Sequence, residues 1–268
     1  EDGRLFVSGG LNVYEVTRNG ESFSARPMAD SECNFTGLAI RNNYLYASCS
    51  DSRFFAGFIN DAPLLTEIFR FTGMCIPNGT ALGPDGRIYV VDEPLNCLEA
   101  DPKIVQLSLD PTDPLRVLSQ VTWIQGSPVG LLPFGQDNVL RFPNGLVRDG
   151  NIFYGTDGGS VYSVTVSNSG EAGEVTPLFF AGTAHDDLGF AGDSLLVTDF
   201  FAGRIFQLSL DGELLQETLP GTFASPSSVR LARPPMFLPT DILVTEKGVL
   251  GDGGELPVDR LSLFRRAP

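Results

Sequence analysis

Apolar and polar residues alternate along this chain in short runs, and each run is broken by Gly, Pro, Asn or Asp. Alternation with a period of two is the signature of strands that bury one face, and no amphipathic stretch is long enough to predict a helix of more than two turns. Six of the runs are versions of one another: Leu5-Phe6-Val7-Ser8-Gly9, Leu45-Tyr46-Ala47-Ser48-Cys49, Ile88-Tyr89-Val90-Val91-Asp92, Phe153-Tyr154-Gly155-Thr156-Asp157, Leu195-Leu196-Val197-Thr198-Asp199 and Ile242-Leu243-Val244-Thr245-Glu246. Their last residues are 40, 43, 65, 42 and 47 positions apart. A strand-only repeat of roughly 40 to 50 residues marks a propeller blade. The prediction is an all-β, six-bladed propeller, with four-stranded antiparallel blades around a central channel, as one domain over residues 1–268.

Within each unit the repeated run is the second strand. A third strand follows it, as in Lys103-Ile104-Val105-Gln106-Leu107 and Arg204-Ile205-Phe206-Gln207-Leu208, with large apolar residues at alternate positions for sandwiching between blades. The first strand, nearest the axis, opens with Thr36-Gly37, Asn78-Gly79, Asn144-Gly145, Asp186-Asp187 and Ser227-Ser228 in blades two to six. Blade one has no such strand after Glu1 and is expected to be incomplete; either residues ahead of Glu1 supply it or the blade is short. Blade six is expected to lack an outer strand. The third unit is about twenty residues too long for the repeat. Its surplus carries Trp123, Ile124, Leu131, Leu132 and Phe134, and is read either as a lid over the channel or as packing against one face.

Charge narrows the partners. Eighteen basic residues against thirty-three acidic ones give −15, which argues against nucleic acid and anionic membranes. No apolar run approaches the roughly 20 residues that span a bilayer. A monomer with a small-molecule substrate or ligand is expected. The four cysteines all fall in the first hundred residues and form no CxxC pair, which argues against zinc. Hairpin register brings Cys33 beside Cys49 and Cys75 beside Cys97, so two disulfides in a secreted or periplasmic protein are expected. Buried free thiols are the alternative.

In a propeller the starts of the inner strands converge at one end of the channel. Those positions hold Asn78, Asn144, Asp186 and Ser227, with Thr36 beside them. Two amides, a carboxylate and hydroxyls are a hard-oxygen set that suits Ca2+ or another divalent cation. Asn-Gly and Asp-Asp also serve as ordinary turn residues that bind nothing. His185, the single histidine, stands next to Asp186 and is the candidate for proton transfer together with it. Hydrolase elbows, zinc-protease motifs and phosphate loops are absent from the sequence.

Pro143-Asn144-Gly145-Leu146 with Phe153-Tyr154-Gly155-Thr156-Asp157, and Asn78-Gly79-Thr80-Ala81-Leu82-Gly83-Pro84-Asp85-Gly86-Arg87-Ile88-Tyr89-Val90, resemble the gluconolactonase, senescence-marker-protein and luciferin-regenerating-enzyme group. Paraoxonases and strictosidine synthase are more distant members of that six-bladed superfamily. The resemblance implies a divalent cation, usually Ca2+, held by Asn78, Asn144 and Asp186. It also implies a Glu from blade one, which has no counterpart in this chain, and the paraoxonase histidine of blade two corresponds to Thr36. The expected function is metal-dependent hydrolysis of lactones or related esters. A non-enzymatic binding propeller and a metal-free enzyme of the strictosidine synthase kind are the alternatives.

Overall fold

A computed structural model describes residues 4–95, 97, 101–127, 138–181, 183–248 and 259–265. Its 22 strands form six sheets. Blade one comprises β1 (Leu5–Gly9), β2 (Asn12–Asn19) and β3 (Ser22–Pro27). Blade two comprises β4 (Phe35–Arg41), β5 (Tyr44–Cys49), β6 (Arg53–Phe58) and β7 (Thr66–Arg70). Blade three holds β8 (Ile76–Leu82), β9 (Ile88–Glu93), β10 (Lys103–Leu109) and β11 (Val117–Gln125). Blade four holds β12 (Pro143–Asp149), β13 (Ile152–Asp157), β14 (Ser160–Val166) and β15 (Ala172–Phe180). β16 (His185–Phe190), β17 (Ser194–Asp199), β18 (Arg204–Ser209) and β19 (Leu214–Glu217) make blade five. β20 (Pro226–Leu231), β21 (Ile242–Glu246) and β22 (Arg260–Phe264) make blade six. Every blade is a simple antiparallel meander, so the sequence expectation of a six-bladed propeller holds.

Five inner strands, β4, β8, β12, β16 and β20, pack in succession around the axis. β1 packs against β4 as each later second strand packs against the next inner strand, so β1 occupies a second-strand place. The incomplete first blade is therefore as expected. β9 is buried at every position, whereas all five positions of β1 are half-buried, because no described inner strand covers them. Blade six has three strands among the described residues.

Alternation along the strands builds the core between blades. Ile88 and Val90 of β9 pack with Tyr46 and Phe54 of blade two, while Tyr89 and Val91, on the other face, pack with Leu146, Phe153 and Tyr162 of blade four. Each such side chain contributes about 1.5–3 kcal/mol relative to exposure. Trp123, the first apolar residue of the surplus in the third unit, lies in β11. Its indole N–H donates to Gly170 O at 2.8 Å and its ring packs edge-on against Tyr89 and Phe153, so this part is inter-blade packing. Leu131, Leu132 and Phe134 lie outside the described residues.

Carboxylates at the ends of three of the repeated second-strand runs hold the entry to the inner strand. Asp92 accepts the N–H groups of Cys75 (2.6 Å) and Ile76 (3.1 Å), and Asp157 accepts those of Arg141 and Phe142. Glu246 accepts Ala224 N–H, and Asp199 accepts Ala202 N–H just beyond its own strand. A base at the start of the third strand pairs three of them: Lys103 with Asp92, Arg204 with Asp199 and Arg260 with Glu246. In blade two Cys49 replaces the acid, and its disulfide to Cys33 spans the same hairpin. Cys75 is bonded to Cys97, and the Cα atoms are 6.0 Å apart in both pairs.

Candidate functional site

Each of the five inner strands breaks register once, between Phe35 and Gly37, Pro77 and Thr80, Pro143 and Leu146, His185 and Leu188, and Pro226 and Ser228. Thr36, Asn78, Asn144, Asp186 and Ser227 all fall within these breaks. A bulge leaves a residue out of the ladder and re-aims its side chain, and all five line one cavity of about 690 Å³ at the end of the channel.

Hydroxyls from the second strands support the bulges. Thr156 Oγ1 accepts Gly145 N–H and donates to Asp186 O, both at 2.7 Å; Thr198 Oγ1 accepts Asp187 N–H at 2.9 Å. Ser48 donates to Asn78 O at 2.9 Å, and Ser227 and Thr245 share a hydrogen bond of 3.0 Å. The glycines after the site residues are close-approach glycines. A Cβ at Gly37 would stand 2.3 Å from Asn78 O, and one at Gly79 2.4 Å from Asn144 O. Neither has positive φ, so neither is there for a turn. Asp187, in the corresponding place of blade five, is tied by its carboxylate to Ser228 (2.6 Å) and Arg230 (2.9 Å).

A second set of residues rings the same mouth: the one directly after the last residue of each repeated second-strand run, namely Ser50, Glu93, Gly158, Phe200 and Lys247. Glu93 is the one that sequence reasoning missed. It accepts a 2.8 Å hydrogen bond from Asn78 Nδ2 and is buried. The signal was available, because only in blade three does a second acid, Glu93, follow the terminal one, Asp92.

The electrostatics are those of a desolvated acidic pair. Burial pushes the Glu93 carboxyl above its ordinary range, against the opposing hydrogen bond from Asn78. Asp186 is pushed up strongly by desolvation and by the negative charges of Glu93 and Asp187, while Lys247 and the Asn144 hydrogen bond pull it down only in part. Like charges brought together out of water disfavour double ionisation unless a cation or a proton is present. Two carboxylates and two amides lining one cavity form a hard-oxygen donor set, and the chemistry of that set fits a divalent cation.

His185 is brought to the same wall but its ring is not in the channel. It is 2% exposed and lies between Phe179 and Phe206, with ring centroids at 6.0 and 5.5 Å. Burial holds its pKa down at about 4, and neither ring nitrogen has a hydrogen-bond partner among the described residues.

No family model matches this sequence, and no curated protein matches it. Solved structures do match in fold. A calcium-binding regucalcin from Agrobacterium tumefaciens superposes with a TM-score of 0.65 at 14% identity, over 95% of this chain and 84% of that one. A luciferin-regenerating enzyme gives 0.64 at 13% identity, over 98% and 90%. A putative gluconolactonase gives 0.65 at 14% identity, over 94% and 80%. The chain has the six-bladed propeller fold that these proteins share.

Proposed function

We propose that this propeller hydrolyses lactones or related esters at the mouth of its channel, with a divalent cation, Ca2+ in the first instance, held by Asn78, Glu93, Asn144 and Asp186. The observation that carries the reading is the pair of desolvated carboxylates, Glu93 and Asp186, the first hydrogen-bonded by the amide of Asn78 in the bulge of its own blade and the second by that of Asn144 in the bulge of the blade before. The fold it shares with a calcium-binding regucalcin and a putative gluconolactonase supports it. When bound, such a cation would supply Lewis-acid polarisation of a carbonyl and stabilise negative charge on its oxygen.

The chain's own groups supply the rest. The amides of Asn78 and Asn144 orient the two carboxylates, and the bulges fix those amides by backbone bonds to buried hydroxyls. Asp186, which keeps part of its surface on the cavity, takes the proton from an attacking water. His185 serves this step by position: its ring, wedged between Phe179 and Phe206, fixes the strand that presents Asp186. The two disulfides are consistent with an extracellular or periplasmic protein, and a secreted or periplasmic location is part of the proposal.

The test is calorimetric titration of Ca2+ into chelator-treated protein, followed by a panel of lactones and aryl esters. Binding and turnover that both fall in Asn144→Ala, Glu93→Gln and Asp186→Asn support the reading. Absence of millimolar binding, or turnover that survives all three substitutions, overturns it.

A further inference from the structure

We infer that the ligand of this cavity carries an apolar substituent, an alkyl chain or an aryl ring, seated on Phe200, Phe201 and Leu95 at the mouth, so that the substrates are lipophilic lactones or esters and not polyhydroxylated ones. The inference rests on the hydrolytic reading above and names the substrate class for the same site.

Three observations carry it. Phe201 is 76% exposed and Leu95 55%, yet both line the cavity, as do Phe200 and Phe142. Phe200 and Phe201 meet edge to face at 5.3 Å and 87°, which presents a broad apolar surface at the opening. A single exposed apolar residue on a surface means little. Several on the rim of a concave site, beside a few convergent oxygens, are the composition of a pocket for an apolar ligand with one polar reacting group.

Several polar side chains that line the cavity are already engaged within the protein. Thr36 donates to Pro77 O at 2.6 Å, Thr80 is bonded to Ser48 at 2.8 Å, and Ser228 to Asp187 at 2.6 Å. Arg230 is held by Asp187 and by the carbonyls of Leu188 and Val229. These polar groups are engaged in supporting the bulges. A ligand hydroxyl set against these engaged groups would lose water without gaining a matched partner, which is costly, whereas an alkyl or aryl group gains by covering exposed phenylalanine.

The test uses two lactams, which present the same carbonyl as a lactone but resist hydrolysis: a δ-lactam with a hexyl chain and a δ-lactam with hydroxyls on the ring carbons. Binding is measured by calorimetry in Ca2+-containing buffer, on the native protein and on Phe201→Ser and Leu95→Ser. Both residues are exposed, so both variants should fold. The hexyl lactam is expected to bind about tenfold or more tighter than the hydroxylated one and to lose about five- to tenfold in either variant, with the hydroxylated lactam unchanged. Equal or tighter binding of the hydroxylated lactam, indifference of the hexyl lactam to both substitutions, or binding of neither overturns the inference. The two readings fail separately. Phe201-dependent binding of the hexyl lactam without turnover of any lactone sinks hydrolysis alone, and hydrolysis confined to hydroxylated lactones sinks the apolar seat alone.

Discussion

Substituting Gly79 by Ala adds one methyl group, and its surroundings decide the outcome. The new Cβ would lie 2.4 Å from Asn144 O, 2.7 Å from Leu146 N and 2.8 Å from Gly145 C. All three are backbone atoms of the adjacent inner strand, so no side chain can rotate away; β8 and β12 must separate by about half an ångström or more in a close-packed wall. Overpacking of this kind costs about 1–3 kcal/mol, and contact against backbone places it near about 3. At roughly 2–4 °C per kcal/mol for a chain of this size, the midpoint should fall by about 6–12 °C in calorimetry or thermal circular dichroism. The displaced carbonyl belongs to Asn144, so Ca2+ affinity should fall with it. Two controls isolate the cause. Gly9 has no atom within 4 Å of a built Cβ and no positive φ, so Gly9→Ala should stay within about 0.5 kcal/mol of the native protein. Gly150 has open space but φ of +52°, so Gly150→Ala should cost about 1 kcal/mol through backbone strain and leave the channel untouched. A Gly79→Ala protein that melts with the native one and binds Ca2+ equally well would refute the close-approach argument.

Other substitutions probe the remaining supports. Mutating Cys33 and Cys49 together to Ser opens the bridge across the blade-two hairpin and should cost about 2–4 kcal/mol, read by urea denaturation. Tyr162 buries a hydroxyl that has no partner among the described residues, so Tyr162→Phe should be neutral or stabilising by about 1 kcal/mol in the same assay. His185 sets a pH dependence. Its folded pKa of about 4 lies below the ordinary value of 6.5, so the unfolded chain binds the extra proton first. Its contribution is complete above about pH 6.5 and is lost as pH falls toward 4, about 3 kcal/mol in all at about 1.4 kcal/mol per unit. The difference in stability between native protein and His185→Phe, measured from pH 7 to pH 4, should change by that amount; a constant difference would count against a buried neutral ring.

The architecture was legible because every blade must satisfy the same constraints. A second strand packed between two neighbours needs apolar residues on both faces, as Ile88 to Val91 show, and in three blades the acid that follows caps the segment leading into the inner strand. Cysteine pairing was legible for the same reason, since register fixes which residues sit side by side. The site was legible only in part. Asn78, Asn144 and Asp186 could be placed at one level by counting, but that level is a row of bulges, and bulges have no reliable mark in one sequence. Gly79 and Gly145 looked like turn residues; their actual constraint is the approach of the next inner strand, at Asn144 and Asp187, contacts between residues of different blades that local pattern cannot reveal. His185 was singled out for standing next to Asp186, yet neighbours in a strand point to opposite sides, and its ring lies between blades. Glu93 was passed over because the repeat drew attention to Asp92, whose carboxylate is occupied with backbone amides, and away from the following position, which faces the channel.

The cation site is tested most directly by a crystal of the protein grown with Ca2+ and examined for density in the channel. One strong peak is expected within coordination distance of the side-chain oxygens of Asn78, Glu93, Asn144 and Asp186, absent from a crystal of Glu93→Gln/Asp186→Asn. A channel without such a peak at saturating Ca2+, or an ion held elsewhere on the protein, would contradict it.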